Sequence, residues 1–464
     1  MNLRASAPGR GLLAILFVAL ALSIGWGVRG NWGHEYGAMI PGALAAMAAV
    51  LVSGREDWQR RIGFFAFFGA LGWSFGGSIS YMQVIAYTHS GHGPSVIYGL
   101  ACLFLIGFLW AAMGGAGTAL PAFLTRQRLT ELLIPTAVVL LAWVAQDIFF
   151  HFYLGDLRER LNNGSMTAER FREQVRWIEW NDTDWIAVLV AGGALLVLAI
   201  ARRRLCWGTR LALAMCGGWW LGFTVLVLGL GLRMTPPRGD NWAGALGMTL
   251  ALLIFLYQTG ELGILWAALV TGLFGGLGFT GATVIKLILV NPAVQQRIFG
   301  GETRSNWHSI LEQTFGFISG IGVGVAMAYL STRAPRHADA LAVRRWADPL
   351  VVWFVMIVIT YVNISKNVEA AWLAPKGSAG GNMTLLQPEM WGHSSYFWFN
   401  LGYLALAIAI AWPLVAFYRG RQLAVLPASP LGKGQLFFVV FLWWIVIGNL
   451  ARTVPFAEQR LITE

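Results

Sequence analysis

The chain has 464 residues, 57% of them hydrophobic and only 12% charged, with a formal net charge of +11. So apolar a chain of this length cannot be a soluble globular protein, and its apolar runs of about twenty residues match the length that crosses a roughly 30 Å hydrocarbon core. Its three cysteines, Cys102, Cys206 and Cys216, form no CxxC pair, which argues against a disulfide framework or a cysteine metal site.

In chain order, about thirteen runs are predicted to span the membrane as helices: 10–28, 36–54, 61–86, 96–118, 132–154, 185–201, 208–232, 242–259, 262–290, 308–331, 348–365, 398–418 and 434–452. The apolar–polar alternation of a transmembrane barrel is absent, so the fold class is an all-α, polytopic helical membrane protein. The first run follows a basic start, as a signal peptide does. It continues to Trp26–Gly27 without a small-x-small cleavage site and is expected to be retained as a span.

Lys and Arg set the expected orientation. With the N-terminus inside, the predicted inner loops hold a clear basic excess (Arg55, Arg60, Arg61, Arg126, Arg128, Arg202, Arg203 and Arg204 among them), whereas the outer loops are balanced. The N-terminus is therefore expected in the cytoplasm and the C-terminus outside it. The positive charge is an insertion signal and predicts no nucleic-acid partner. No organellar targeting segment is evident, which points to a bacterial plasma membrane.

Two segments resemble one another. RGNW (29–32) precedes an apolar span and then FGALGW (68–73); RGDNW (238–242) precedes another and then FGGLGF (274–279). Their lead-in spans are the first and the seventh, so the copies share an orientation. The expected organisation is two parallel six-helix halves, 1–201 (outer loop 155–184) and 202–418 (outer loop 366–397), followed by 419–464 with one further helix. Within the first outer loop, RFREQVRWIEW (170–180) reads as an amphipathic surface helix.

Two more predicted outer segments echo the opening motif, RSNWH (304–308) and WGHSS (391–395). Tryptophan at an interface is ordinary, but the recurrence of Asn-Trp beside Arg or His is not. Ionisable residues inside a membrane are costly and mark function, and Asp147, Lys286 and Glu312 all fall near predicted outer ends of spans. Arg29, Asn31, Trp32, His34, Glu35, Arg238, Asn241, Trp242, Arg304, His308 and His393 fall at the same level. His308 and Glu312 are four residues apart and share a helix face. The inner half of the predicted membrane region carries no ionisable side chain. Together these residues predict a polar vestibule opening outward.

Plainer roles exist for single members: Lys286 can snorkel to the interface, Asp147 can pair with it, and Glu35 can favour a helix dipole. For the group, three chemistries fit. Three histidines with Glu35 and Glu312, joined by His89 and His92, are types that hold zinc, but no fixed-spacing signature such as HExxH supports a site; no metal and no cofactor is predicted. The arginines can clamp a phosphate or carboxylate with His or Glu as general base, as in a transferase using a lipid-linked donor. Or the Trp rings and arginines can line a solute path.

The predicted inner loop VSGREDWQRR (52–61) resembles the Gly-Asp-Arg/Lys loop of major facilitator transporters in residue type, with a different spacing. The leading functional expectation is a transporter or permease of a small polar solute, anionic or sugar-like. The alternative is a membrane-embedded enzyme with an extracytoplasmic active site, so the enzyme question stays open; a non-catalytic scaffold is the third class. The expected partners are a small-molecule solute or lipid-linked substrate and membrane lipids. The oligomeric state is not legible.

Overall fold

The fold comes from a computed structural model that describes residues 8–29, 35–76, 79, 81–181, 184–234, 240–301, 307–337, 346–367, 389–421, 423–424 and 426–453. The helices are α1 (Pro8–Arg29), α2 (Glu35–Val52), α3 (Glu56–Gln59), α4 (Ile62–Gly76), α5 (Met82–Thr88), α6 (Gly93–Phe123), α7 (Arg126–Asn162), α8 (Ala168–Asn181) and α9 (Asp184–Arg202). There follow α10 (Trp207–Gly222), α11 (Asp240–Gln258), α12 (Leu262–Leu289), α13 (Pro292–Phe299), α14 (Trp307–Arg333), α15 (Ala347–Trp353), α16 (Thr360–Asn367), α17 (Ser395–Tyr418) and α18 (Pro430–Thr453). A π-helical stretch, Phe223–Gly229, prolongs α10, and another, Phe354–Ile359, joins α15 to α16. The strands β1 (Glu389–Met390) and β2 (His393–Ser394) form a small antiparallel hairpin.

The protein is an all-α polytopic membrane protein. Among the described residues ten helical segments are long and apolar enough to cross a membrane: α1, α6, α7, α9, α10 with its π extension, α12, α14, α15 through α16, α17 and α18. Three shorter apolar helices cover Tyr36–Val52, Ile62–Phe75 and Trp242–Gln258. In hydrocarbon every backbone polar group must be satisfied within the protein, and a buried hydroxyl gains by bonding to a nearby carbonyl. Accordingly Thr118, Thr130, Thr249 and Thr283 each turn the hydroxyl back onto the carbonyl four residues earlier. The stretch expected as a single span over 61–86 is two helices, α4 and α5. Helix α7, expected as the fifth span, continues past the expected end near 154 to Asn162, and the expected amphipathic stretch at 170–180 lies within α8.

The chain divides into two compact units: unit 1 comprises Met1–Ser78, Thr88–Leu124 and Gly263–Glu464, and unit 2 comprises Ile79–Tyr87 and Thr125–Leu262. Unit 1 is built on antiparallel helix pairs separated by glycine. Gly316, Gly320 and Gly324 of α14 lie against Leu22, Ala19 and Ile15 of α1; a Cβ at Gly320 would come within 2.6 Å of the Ala19 Cα. Gly72 of α4 lies against Gly114 and Gly117 of α6, and Gly107 of α6 against the backbone of Gly275 in α12. The two FG motifs thus flank α6 on α4 and α12. In unit 2, Gly218 and Gly222 of α10 meet Ala243 and Gly247 of α11. There α8 folds against the end of α7, enclosing Leu157, Met166 and Val175.

The end of unit 1 remote from Arg29 is closed by arginines. Arg55 donates to the carbonyls of Ser331, Ala334 and Pro335 beyond and at the end of α14, and to both oxygens of Asp57. Arg61 is buried and donates to the carbonyls of Pro121 and Leu124 at the end of α6. Cations there satisfy carbonyls that a helix leaves unpaired and complement its dipole. The VSGREDWQRR loop is therefore a clamp on two helix ends.

Two outcomes follow. Replacing Gly320 or Gly72 by Leu should abolish a monodisperse species in detergent, because the side chain meets backbone on the facing helix; Gly217→Leu, where a Cβ meets nothing within 4 Å, should be tolerated. Burial alone would raise the Asp57 carboxyl, but Arg55 and the His337 backbone N–H outweigh it and hold the pKa below the ordinary value. A depressed folded pKa stabilises above the unfolded value and loses that contribution as pH falls through the folded one. Asp57→Asn should therefore lower the melting midpoint at pH 7, and the difference should vanish below the ordinary carboxylate range.

Candidate functional site

Helices α1 and α14 run antiparallel, so the last residue of α1, Arg29, meets the second turn of α14. A cation at a helix C-terminus and an acid near a helix N-terminus both suit the local dipoles. Arg29 Nη1 donates to Glu312 Oε1 at 2.6 Å, and each residue is only 2% exposed. His308, one turn earlier on the same face, brings Nε2 to 3.5 Å from that oxygen, too long for a strong hydrogen bond. Ser23 adds a second tie between the helices by donating to the Gln313 carbonyl at 2.9 Å.

The pair rests on an aromatic cluster from five helices. The Arg29 guanidinium carbon lies 4.8 Å from the Trp26 ring centre and 5.4 Å from that of Trp110. Those two rings are stacked, 5.3 Å apart and 4° from parallel. Phe315 stands edge-on to Trp26 at 4.9 Å, Phe279 packs on Phe315 at 4.9 Å, and Trp73 meets Trp26 edge-on at 5.8 Å. Trp73 and Phe279 are the last residues of the two FG motifs. Ring faces attract a cation, most strongly where water is excluded. The buried indole N–H groups of Trp26 and Trp73 make no hydrogen bond to a described residue.

The structure thus brings together Arg29, His308 and Glu312 from the predicted set. Lys286 sits in the last turn of α12, near His89. Burial, and then the Lys286 ammonium, hold the His89 pKa below its ordinary value. His393 lies in the β1–β2 hairpin, stacked on Phe397 at 4.6 Å. In unit 2, Asp147 is an exposed residue of α7, and Trp242 packs against the Trp219, Phe223, Val227 and Ala243 cluster. Asn31, Trp32, His34, Arg238 and Arg304 lie outside the described residues, as do the side chains of Glu35 and Asn241. Among the described residues no three His, Cys, Asp or Glu side chains are grouped to hold a metal ion. Arg61, Arg126 and Asp348 are buried at or beside the starts of α4, α7 and α15.

Sequence reading missed Trp26, Trp73, Trp110, Phe279 and Phe315. Tryptophan is expected at the interface, whereas Trp110 is central in α6 and Trp26, although in the last turn of α1, is buried among neighbouring helices. The available signal was the i, i+3 spacing of Trp26 and Arg29, which puts ring and guanidinium on one face.

No protein-family model matches the chain, and neither a curated protein nor a solved structure is similar to it.

Removing one partner of a buried pair leaves an uncompensated charge, at a cost of about 3–5 kcal/mol, whereas replacing both by apolar groups can be neutral. Glu312→Leu should sharply lower the unfolding midpoint in detergent, and Arg29→Met/Glu312→Leu should recover most of the loss. If the double variant is no more stable than the single one, the two side chains are not energetically coupled.

Proposed function

We propose that this protein is a multi-pass transporter of a small polar, anionic or sugar-like solute, recognised at the Arg29 centre. In this reading α2, α4 with α5, and α11 complete thirteen spans, arranged as two parallel halves plus one helix. The N-terminus is cytoplasmic, the membrane is a bacterial plasma membrane, and the Arg29 end faces outward. The observation that carries the proposal is the Arg29–Glu312 pair, buried on stacked tryptophans at one end of a glycine-packed unit. A guanidinium is suited to a carboxylate or phosphate, and a flat apolar ring suits a sugar face. Glu312 holds Arg29 while no solute is bound. An anionic solute takes its place on the guanidinium, and His308, already beside Oε1, receives the released carboxylate. Such an exchange of partners links binding to the α1–α14 contact, as a transport cycle requires. Of the remaining predicted residues, Asn31, Trp32, His34, Glu35, Lys286, Arg304 and His393 are assigned to the same vestibule in this proposal.

The engagement of Arg55 and Arg61 with helix-end carbonyls favours a second reading, an extracytoplasmic enzyme using a lipid-linked donor, because a closed far end also describes a blind chamber. Single cysteines at Gln313 and at mid-span Ser319 of α14, in a chain lacking the three native cysteines, separate the two. Impermeant thiol labelling of Ser319→Cys from both faces of oriented vesicles would establish a transport path. Labelling of Gln313→Cys from outside only, with Ser319→Cys silent from inside, would favour the enzyme. In either case Arg29→Lys should weaken binding of an anionic solute by about tenfold in a thermal-shift titration; unchanged binding would remove Arg29 from the site.

A further inference from the structure

A second candidate site lies in unit 1, on the three helices α16, α17 and α18. They are tied by a directional chain of hydrogen bonds. Trp444 Nε1 donates to the Tyr403 hydroxyl at 3.0 Å, Tyr403 donates to Thr360 Oγ1 at 2.8 Å, and Thr360 donates to the Met356 carbonyl at 2.6 Å. That carbonyl belongs to the π-helical stretch. Over this chain runs an open groove of about 370 Å³, lined by Ile364, Phe399, Gly402, Leu406 and Ile447, with Trp398 at one end.

Two features specify the occupant. First, each hydrogen donor of the chain is already spent, so the groove offers only ring and aliphatic surface and suits a hydrocarbon rather than a polar solute. The flanks beside it are exposed Leu401, Leu404 and Ile408 on an apolar span, so the groove opens to the bilayer. Second, the end at Trp398 is capped by the β1–β2 hairpin. Trp398 Nε1 donates to the Met390 carbonyl at 2.7 Å, and Trp391 stands edge-on to Trp398 at 5.5 Å. Trp391 and Gly392 form the two-residue turn, both with positive φ, +51° and +75°. Such a turn prefers Asn-Gly, and a tryptophan in the left-handed region is strained. Yet Trp391 is 81% exposed, immediately before a span, where an indole ring belongs at headgroup level. From Trp398 to Leu406 the groove follows about 12 Å of helix, from that level toward the bilayer interior.

We propose that this groove binds one acyl chain of a membrane phospholipid, with the lipid headgroup against Trp391. The site is independent of the Arg29 centre and of whether that centre transports or catalyses.

The test uses the full chain in phosphatidylethanolamine–phosphatidylglycerol vesicles carrying a trace of phosphatidylethanolamine with a photoreactive diazirine in mid-chain. After irradiation, adducts are mapped by mass spectrometry. Adducts should concentrate on Phe399, Leu406 and Ile447 over Leu404 and Ile408. Gly402→Phe should cut the groove adducts several-fold and leave the Leu404 and Ile408 adducts unchanged. A Cβ at Gly402 meets no atom within 4 Å, so this variant fills the groove without displacing backbone. Ile447→Trp, at an exposed position of the opposite wall, repeats the test if Gly402→Phe does not purify as a single species. Equal labelling of all faces of α17, unmoved by either variant, would mean an unselective lipid annulus and overturn the proposal. Disulfide-linked dimers of Gly402→Cys, with groove adducts absent, would mean that a second copy of the chain covers the groove and would overturn it as well.

Discussion

Helices in a bilayer gain little by hiding apolar surface from one another, because lipid tails are as apolar as leucine. What holds them is contact close enough for dispersion to accumulate over many atoms, and only glycine lets two helix backbones come that near. The rest of this structure depends on that constraint. The seam of Gly316, Gly320 and Gly324 brings α14 against α1; Gly72 and Gly107 bring α4 and α12 against α6. Once those approaches are set, Trp26, Trp73, Trp110, Phe279 and Phe315 have one space to share. They fill it as stacked and edge-on pairs, the arrangements that aromatic quadrupoles favour.

Polar groups are then placed by what the close-packed helices leave unpaired. At one end, Arg55 and Arg61 serve backbone carbonyls of α14 and α6 and their neighbouring turns. At the other, Arg29 is met by a carboxylate and two ring faces. The same residue type has two roles, and the difference lies in the partner. A carbonyl of a helix end is fixed in place and cannot be released, whereas the Glu312 side chain has its own rotamers and a histidine within reach. This asymmetry is why a functional role is proposed for the Arg29 end.

Much of this architecture was legible in sequence because hydrocarbon imposes a length on every apolar run, and each of the expected runs contains helix. The extension of α7 to Asn162 was not legible, since residues beyond 154 turn charged and a helix leaving the bilayer needs no apolar signature. The break between α4 and α5 was hidden because glycine and serine at 76–80 are equally at home in a packed span. Of the site, the pairing of His308 with Glu312 on one face follows from spacing alone, but the meeting of Arg29 with Glu312 is a tertiary contact across 283 positions that no local pattern encodes. The stacked interior tryptophans were passed over because indole rings are expected at interfaces.

Helix α7 has 37 residues and so measures about 55 Å, nearly twice the thickness of the hydrocarbon layer. No proline interrupts it after Pro135. It is one rod standing in two solvents, and the part beyond the lipid is gripped by α8 through Leu157, Met166 and Val175. A force applied to that hairpin from the water side has no hinge at which to dissipate, so it is delivered as torque on the buried part of the rod. A chain with little mass outside the membrane thereby possesses a lever, and a binder raised against the hairpin would set the tilt of the helix as well as mark its position.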